Sequence, residues 1–229
     1  MTNNYSAIPF ELLLITDKAA CHRAGRTVEQ TLTSLLNDIN SRRIAILIRD
    51  KKATISEIAT LISNLKPLTD STGVLLLVHS YPQLALEYNL AGVHLSSTTA
   101  IEPVRQQLPP EMLIGVSRHG TDALDQNDIG LADYATISPV YSPLSKPEDQ
   151  RNTLGLQGLR DSVRRSYRPL VALGGIEPGR VSAAIAQGAQ AVAVIGAVMG
   201  AENPASVVQL LLQEDAHRAT KPRFRGLTL

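Results

Sequence analysis

Eight short aliphatic runs recur along the chain, each separated from the next by a stretch patterned as a helix. In order they are Leu12-Leu-Leu-Ile-Thr16, Ile44-Ala-Ile-Leu-Ile48, Val74-Leu-Leu-Leu-Val78, Gly92-Val-His-Leu95, Leu113-Ile-Gly-Val-Ser117, Tyr134-Ala-Thr-Ile137, Val171-Ala-Leu-Gly-Gly-Ile176 and Ala191-Val-Ala-Val-Ile-Gly-Ala197. Runs this short, unbroken rather than alternating, suit strands buried on both faces, as in parallel sheets. A strand followed by a helix, repeated at intervals of roughly 20 to 35 residues, favours a parallel α/β fold. Eight units favour a closed (β/α)8 TIM barrel over an open doubly wound sheet. No Gly-x-Gly-x-x-Gly follows the first run, which counts against a dinucleotide fold.

The length of 229 residues suits one barrel. Residues 1–216 are expected to form it as a single domain, and residues 217–229 a basic, apolar-poor tail that frays. Trp is absent and only two Phe occur, so the core must be built from Leu, Ile, Val and Ala. The net charge of +1, with no basic block before the tail, argues against nucleic acid as the main partner. No apolar run approaches the roughly 20 residues of a membrane span. Met1 to Pro9 lacks the charged and apolar regions of a signal peptide. The single cysteine, Cys21, excludes an internal disulfide and suits a reducing compartment, so a cytoplasmic protein is expected.

Between the strands, Thr27-x-x-Gln30 and Thr54-x-x-Glu57 read as capping boxes that open helices. The segment with Cys21, His22, Arg23 and Arg26 reads as a loop. Ser96 to Thr99 supply cap material for a helix over Val104 to Leu108, and a helix is expected through Ala123 and Leu124. Further helices are expected around Leu156 to Arg165, over Val181 to Ala186 with Pro178 near its first turn, and over Pro204 to Leu212. Ser138 to Asn152 is the longest irregular stretch, and a loop that long inside a compact domain is usually functional.

In such a barrel the C-terminal ends of the strands face the active site. Those ends carry Thr16 and Asp17, Arg49 and Lys51, His79 and Ser80, Ser96 to Thr99, Ser117 and His119, Ser138 and Lys146, then Gly174, Gly175, Ile195 and Gly196. Cations and hydroxyls outnumber carboxylates, so the site suits an anion and lacks the carboxylate cluster of a Mg²⁺ site. The glycines after the last two runs would let backbone N–H groups approach a phosphate, in the usual phosphate-binding place of this fold. His119 is suited to proton transfer near neutral pH, or it is a loop histidine bonded to backbone. His79 either serves the site or caps its strand, and His94 reads as core. Arg49 and Lys51 either face the site or are solvated strand-end charges. Cys21 with His22 is too small a set for zinc.

Taken in order, Thr16-Asp17, Ile48-Arg-Asp-Lys51, Gly92-Val-His-Leu95, Gly115-Val-Ser-Arg-His119, Ser138-Pro-Val-Tyr141 with Ser145-Lys146, and Val171-Ala-Leu-Gly-Gly-Ile176 resemble the thiamine phosphate synthase superfamily. That superfamily also contains the thiazole tautomerases (TenI-like proteins). The resemblance runs from about Leu12 to Met199. It implies a barrel in which Ser117, Ser145, Lys146, Gly175, Ile195 and Gly196 attend a thiazole phosphate. In the synthases, which join hydroxymethylpyrimidine diphosphate to that thiazole, Mg²⁺ binds the departing pyrophosphate. Here Leu47 stands in place of a Gln, His79-Ser80 in place of Asn-Asp, and Ser96-Ser97-Thr98-Thr99 in place of Gly-Gln-x-Asp, while Pro143 replaces a Thr. Both metal-binding aspartates of the pattern are thus missing.

The expectation drawn from this is a thiamine-related enzyme that binds a small phosphorylated heterocycle. A thiazole tautomerase-like proton transfer by His119, with no cofactor and no metal, is expected first. A divergent synthase using Mg²⁺ held by groups such as Asp17 or Asp50 is the alternative. A non-catalytic phosphate-binding or interaction protein is the other. The assembly, monomer or homodimer, is left open.

Overall fold

Each aliphatic run pairs in parallel with its neighbour in the chain, and the last pairs with the first, closing an eight-stranded barrel. The computed structural model describes residues 7–39, 43–120, 122–142 and 152–216. The barrel strands are β1 (Leu12–Ile15), β2 (Ile44–Ile48), β3 (Leu75–His79), β4 (Gly92–Leu95), β5 (Leu113–His119), β6 (Tyr134–Ser138), β7 (Leu170–Leu173) and β8 (Ala191–Val194). Around them run α1 (Lys18–Arg23), α2 (Val28–Asp38), α3 (Ile55–Thr72), α4 (Pro82–Glu87), α5 (Glu102–Gln107), α6 (Gln126–Ile129), α7 (Gly155–Arg165), α8 (Val181–Ala186), α9 (Gly196–Met199) and α10 (Pro204–Ala216).

The period of two along each strand sorts its residues into two cores. One set points outward and packs with the helices: Ile44, Ile46 and Ile48 on β2, Ile114 and Val116 on β5. The other fills the barrel: Leu13, Ile15, Ala45, Leu47, Leu77, Tyr134, Val171, Ala191 and Ala193, with Phe10 against the Tyr134 ring edge-on at 5.3 Å. Continuing the inner phase toward the C-terminal ends gives Arg49, His79, Ser117, His119 and Ser138. The mouth of the barrel is therefore polar because the alternation places polar residues there.

Both capping boxes form as expected: Thr27 with Gln30, and Thr54 with Glu57, exchange side-chain and backbone bonds. Other local expectations are corrected. The segment expected as a loop around Cys21 is the helix α1. The Asp17 carboxylate caps it, accepting from Ala20 N at 3.0 Å. Ser96 to Thr99 cap nothing, because the Ser96 hydroxyl is bonded to those of Thr98 and Thr99, and α5 starts after Ile101 without a side-chain cap. The helix expected through Ala123 and Leu124 begins later, where Asp125 accepts from Asn127 N and Asp128 N. Pro178 is not in the first turn of α8: Gly179 at φ +92° breaks the path, and the helix begins at Val181. Strand β5 extends two residues beyond Ser117, to His119, and α10 runs to Ala216. Ser145 and Lys146, most of the long loop and the tail at 217–229 lie outside the described residues.

Candidate functional site

Beyond β7 and β8 the chain leaves a cavity of about 340 Å³ lined by Gly174, Gly175, Ile195 and Gly196, with Ala20 and Arg23 of α1 on its far wall. Two of these glycines are dictated by geometry. Gly174 and Gly175 have φ of +99° and +60°, where an L side chain is strained. Side chains there would also collide with the segment after β6: a Cβ on Gly174 would lie 2.7 Å from Pro139 Cα, and one on Gly175 2.6 Å from Ser142 O. That segment is laid onto them by bonds from Val140 N to Leu173 O at 2.9 Å and from Tyr141 N to Gly174 O at 3.0 Å. Among the described residues no acceptor meets the backbone N–H of Gly175, Gly196 or Ala197. A pocket rimmed by free N–H donors suits an anion. Glu177, its one acidic neighbour, is held by Arg180 at 3.0 Å. Arg23, which the sequence places in an expected loop, is the cation lining this cavity. Only the helical turn begun at Asp17 brings it there.

Across the mouth, Ser117 joins a buried chain of bonds. His94 Nε2 lies 3.1 Å from Ser117 Oγ, and His94 Nδ1 lies 3.1 Å from the Tyr134 hydroxyl. Gly115 makes this meeting possible, since a Cβ there would sit 2.2 Å from the Tyr134 ring and 2.4 Å from His94 Nδ1. His94 is core, as its place inside a strand suggests, yet it is tied directly to a candidate site residue. Burial first, then the nearby His79 and Arg49, pushes its pKa down to about 3. Burial likewise raises the Tyr134 phenol.

His119 ends β5 in the inner phase. Its Nδ1 lies 2.9 Å from Ser138 Oγ, and its backbone N–H donates to Asp122 at 2.8 Å. The ring is thereby oriented by a hydroxyl on the next strand and stays partly exposed. Arg118, its neighbour, points outward and is structural: it is paired with Asp128 at 2.9 Å and bonded to Ala123 O.

At β2, Arg49 is half-buried. Its backbone exchanges bonds with the Thr16 hydroxyl, which pins the exits of β1 and β2 together. Burial lowers its pKa, against the pull of Asp17 and Asp50. Lys51 is exposed and lines neither described cavity. His79 is driven down to about 4 by burial and then by the Arg49 charge, and its buried Nδ1 has no partner among the described residues.

The described residues at the exits of β1 to β4 do not fit a Mg²⁺ site. The ends of β3 and β4 offer imidazole and hydroxyls where hard anionic oxygen is needed. Asp17 already accepts a bond in capping α1, and Asp50 accepts from Lys52 N at 2.9 Å with the Lys18 ammonium 3.9 Å away. Among the described residues no group of three His, Cys, Asp or Glu side chains is arranged to hold a metal.

The family model described as thiamine monophosphate synthase matches residues 12–198, the whole barrel with both glycine turns. The chain belongs to this family. A thiamine-phosphate synthase of Moorella thermoacetica is 34% identical over 169 residues, 73% of this chain and 80% of that protein. One from Chlamydia abortus is 30% identical over 203 residues, 88% of this chain and 93% of that protein. The solved structure of thiamine phosphate pyrophosphorylase from Pyrococcus furiosus superposes with a TM-score of 0.76 at 28% identity, covering 91% of this chain and 96% of that one. A 3-hexulose-6-phosphate synthase, at 14% identity and a TM-score of 0.65, shares the fold. The family is one of enzymes of thiamine biosynthesis. The relatives' names favour the synthase alternative and give the tautomerase expectation no specific support. No described helix is long and apolar enough to cross a membrane.

Proposed function

We propose that this barrel binds a thiazole phosphate at its C-terminal mouth, with the phosphate in the cavity rimmed by Gly174, Gly175 and Gly196. The observation that carries this reading is that cavity: free backbone donors, two obligatory glycines and an arginine, inside a family whose named members make thiamine phosphate. Ser117 and His119 stand across the mouth on β5, as groups that would meet the heterocycle.

Two reactions are compatible with that binding half. Coupling to a pyrimidine diphosphate is the one that the relatives' names support, and it takes precedence on that ground. Proton transfer on the thiazole is the second reading. It is favoured by the donor set at β3 and β4, which does not fit the metal that serves the coupling, and by a His119 ring held by Ser138. It needs no cofactor: His119 would take or give the proton at Nε2, which meets no partner among the described residues.

One pair of assays separates them. Purified protein is given hydroxymethylpyrimidine diphosphate and thiazole phosphate with Mg²⁺, and thiamine phosphate is measured. In parallel, the non-aromatic thiazole carboxylate phosphate is supplied alone and its aromatisation followed by absorbance. Coupling at ordinary enzyme rates establishes the first reading, and aromatisation lost in His119→Ala establishes the second. Inactivity in both, with no binding of thiazole phosphate, removes the proposal.

A further inference from the structure

The bonds joining Tyr134, His94 and Ser117 run in one direction, and burial decides which. A neutral imidazole carries one N–H, so two arrangements satisfy the two 3.1 Å contacts. In one, the Tyr134 O–H donates to His94 Nδ1, and His94 Nε2–H donates to Ser117 Oγ. In the other, Ser117 donates to Nε2, and Nδ1–H donates to the Tyr134 oxygen. The second arrangement strands the Tyr134 proton. That side chain is fully buried, and its hydroxyl meets no other acceptor among the described residues. Buried donors without acceptors are rare in folded proteins. The first arrangement strands nothing, because Ser117 is partly exposed and its own O–H is free to turn toward the mouth.

Charge does not blur the choice. His94 is walled from solvent, with His79 ring-to-ring at 6.2 Å and the Arg49 charge acting on it, so it stays neutral at ordinary pH. Gly115 keeps the contact itself, since any larger residue would collide with the Tyr134 and His94 rings.

We propose that Tyr134 and His94 are positioning residues that hold Ser117 as a hydrogen-bond donor toward the barrel mouth, so that the ligand group seated against Ser117 is an acceptor. A carboxylate or phosphoryl oxygen, or an unprotonated ring nitrogen, takes up that O–H; a ligand N–H or O–H would leave the Ser117 proton without an acceptor. The ligand side of this inference rests on the thiazole phosphate reading above, whereas the direction of the bonds does not.

The test reads the direction first. Long-range ¹H–¹⁵N spectra of the full chain, with the His94 signal assigned by its loss in His94→Asn, are expected to show the Nε2–H tautomer with no titration between about pH 5 and 8. An Nδ1–H tautomer, or titration in that range, overturns the proposal, and this measurement needs no ligand. The second arm measures thiazole phosphate affinity. Ser117→Ala and Tyr134→Phe are each expected to weaken it about tenfold, and the double variant no further. Losses that add independently overturn the relay. Should Tyr134→Phe not fold, His94→Gln takes its place in the cycle. Should wild type fail to bind thiazole phosphate, the functional reading falls, and the tautomer measurement still decides the direction of the bonds.

Discussion

At the level of single residues, two charges set what the mouth can hold. Arg23 lines the glycine cavity and forms no ion pair or hydrogen bond with a described residue, while the acidic neighbour Glu177 is neutralised by Arg180. A free guanidinium beside backbone donors should add a charge-assisted bond to a phosphate. Arg23→Ala is therefore expected to raise the dissociation constant of a phosphate ester about tenfold, equivalent to about 1.4 kcal/mol. Arg23→Lys should recover part of the loss, and the melting temperature should not move, because the side chain is exposed. Titration calorimetry checks all three. His79 acts on stability instead. Its pKa falls from 6.5 to about 4 on folding, so the unfolded chain binds the proton first as pH drops. Its contribution is fully present above pH 6.5 and is lost as pH falls from 6.5 toward 4. Allowing for solvent at its open edge, the loss should be about 2 kcal/mol. Urea denaturation across that window should show it, and His79→Gln should flatten the slope.

Among the elements, α1 joins fold and site most directly. Six residues carry Ala20 and Arg23 to the cavity wall and bury Cys21, whose Sγ lies 3.9 Å from Met199 Sδ of α9. Its start depends on one carboxylate, Asp17. Asp17→Ala should cost about 1 kcal/mol, the usual worth of a helix cap. It should also weaken phosphate binding, because the helix that presents Arg23 loosens. Chemical denaturation and phosphate titration on the same sample test the pair of effects; unchanged binding beside the stability loss would detach α1 from the site. The same helix shows where sequence reading ran out. The strands were legible because an aliphatic run buried on both faces needs no context, and the capping boxes of α2 and α3 because their bonds are local. Helix α1 is too short to display a stripe, and Lys18 to Arg23 looks polar until its two buried residues meet α2 and α9. Ser96 to Thr99 misled for a related reason: hydroxyls that suit a cap also suit one another.

For the molecule as a whole, closing the barrel turns eight separate strand ends into one mouth. Half of that site was legible. Gly174 and Gly175 are readable because an aliphatic run ending in paired glycines marks a place where backbone N–H groups can approach an anion, and the missing carboxylates are readable against the family's pattern. The Tyr134–His94–Ser117 chain was not, because it joins three strands through a space that Gly115 leaves open, and nothing local to any one strand reports it. The two candidate reactions make opposite demands on metal, and a single global measurement distinguishes them. A ligand that binds only the folded state, at 100 times its dissociation constant, stabilises by about 2.7 kcal/mol, or about 5 to 10 °C in a chain of this size. Thiazole phosphate should produce that shift equally with Mg²⁺ and with EDTA, since the glycine cavity uses backbone donors and Arg23. In Gly175→Ala the shift should vanish, because the new Cβ at φ +60° meets Ser142 O. The variant itself should be weaker by about 1 to 3 kcal/mol. Under the coupling reading the pyrimidine diphosphate should give a large shift that requires Mg²⁺; under the proton-transfer reading it should give little shift in either condition, because His79-Ser80 and Ser96-Ser97 stand at the exits of β3 and β4. A large shift with it that requires Mg²⁺ would mean that the metal finds other ligands, and would decide for the coupling reaction.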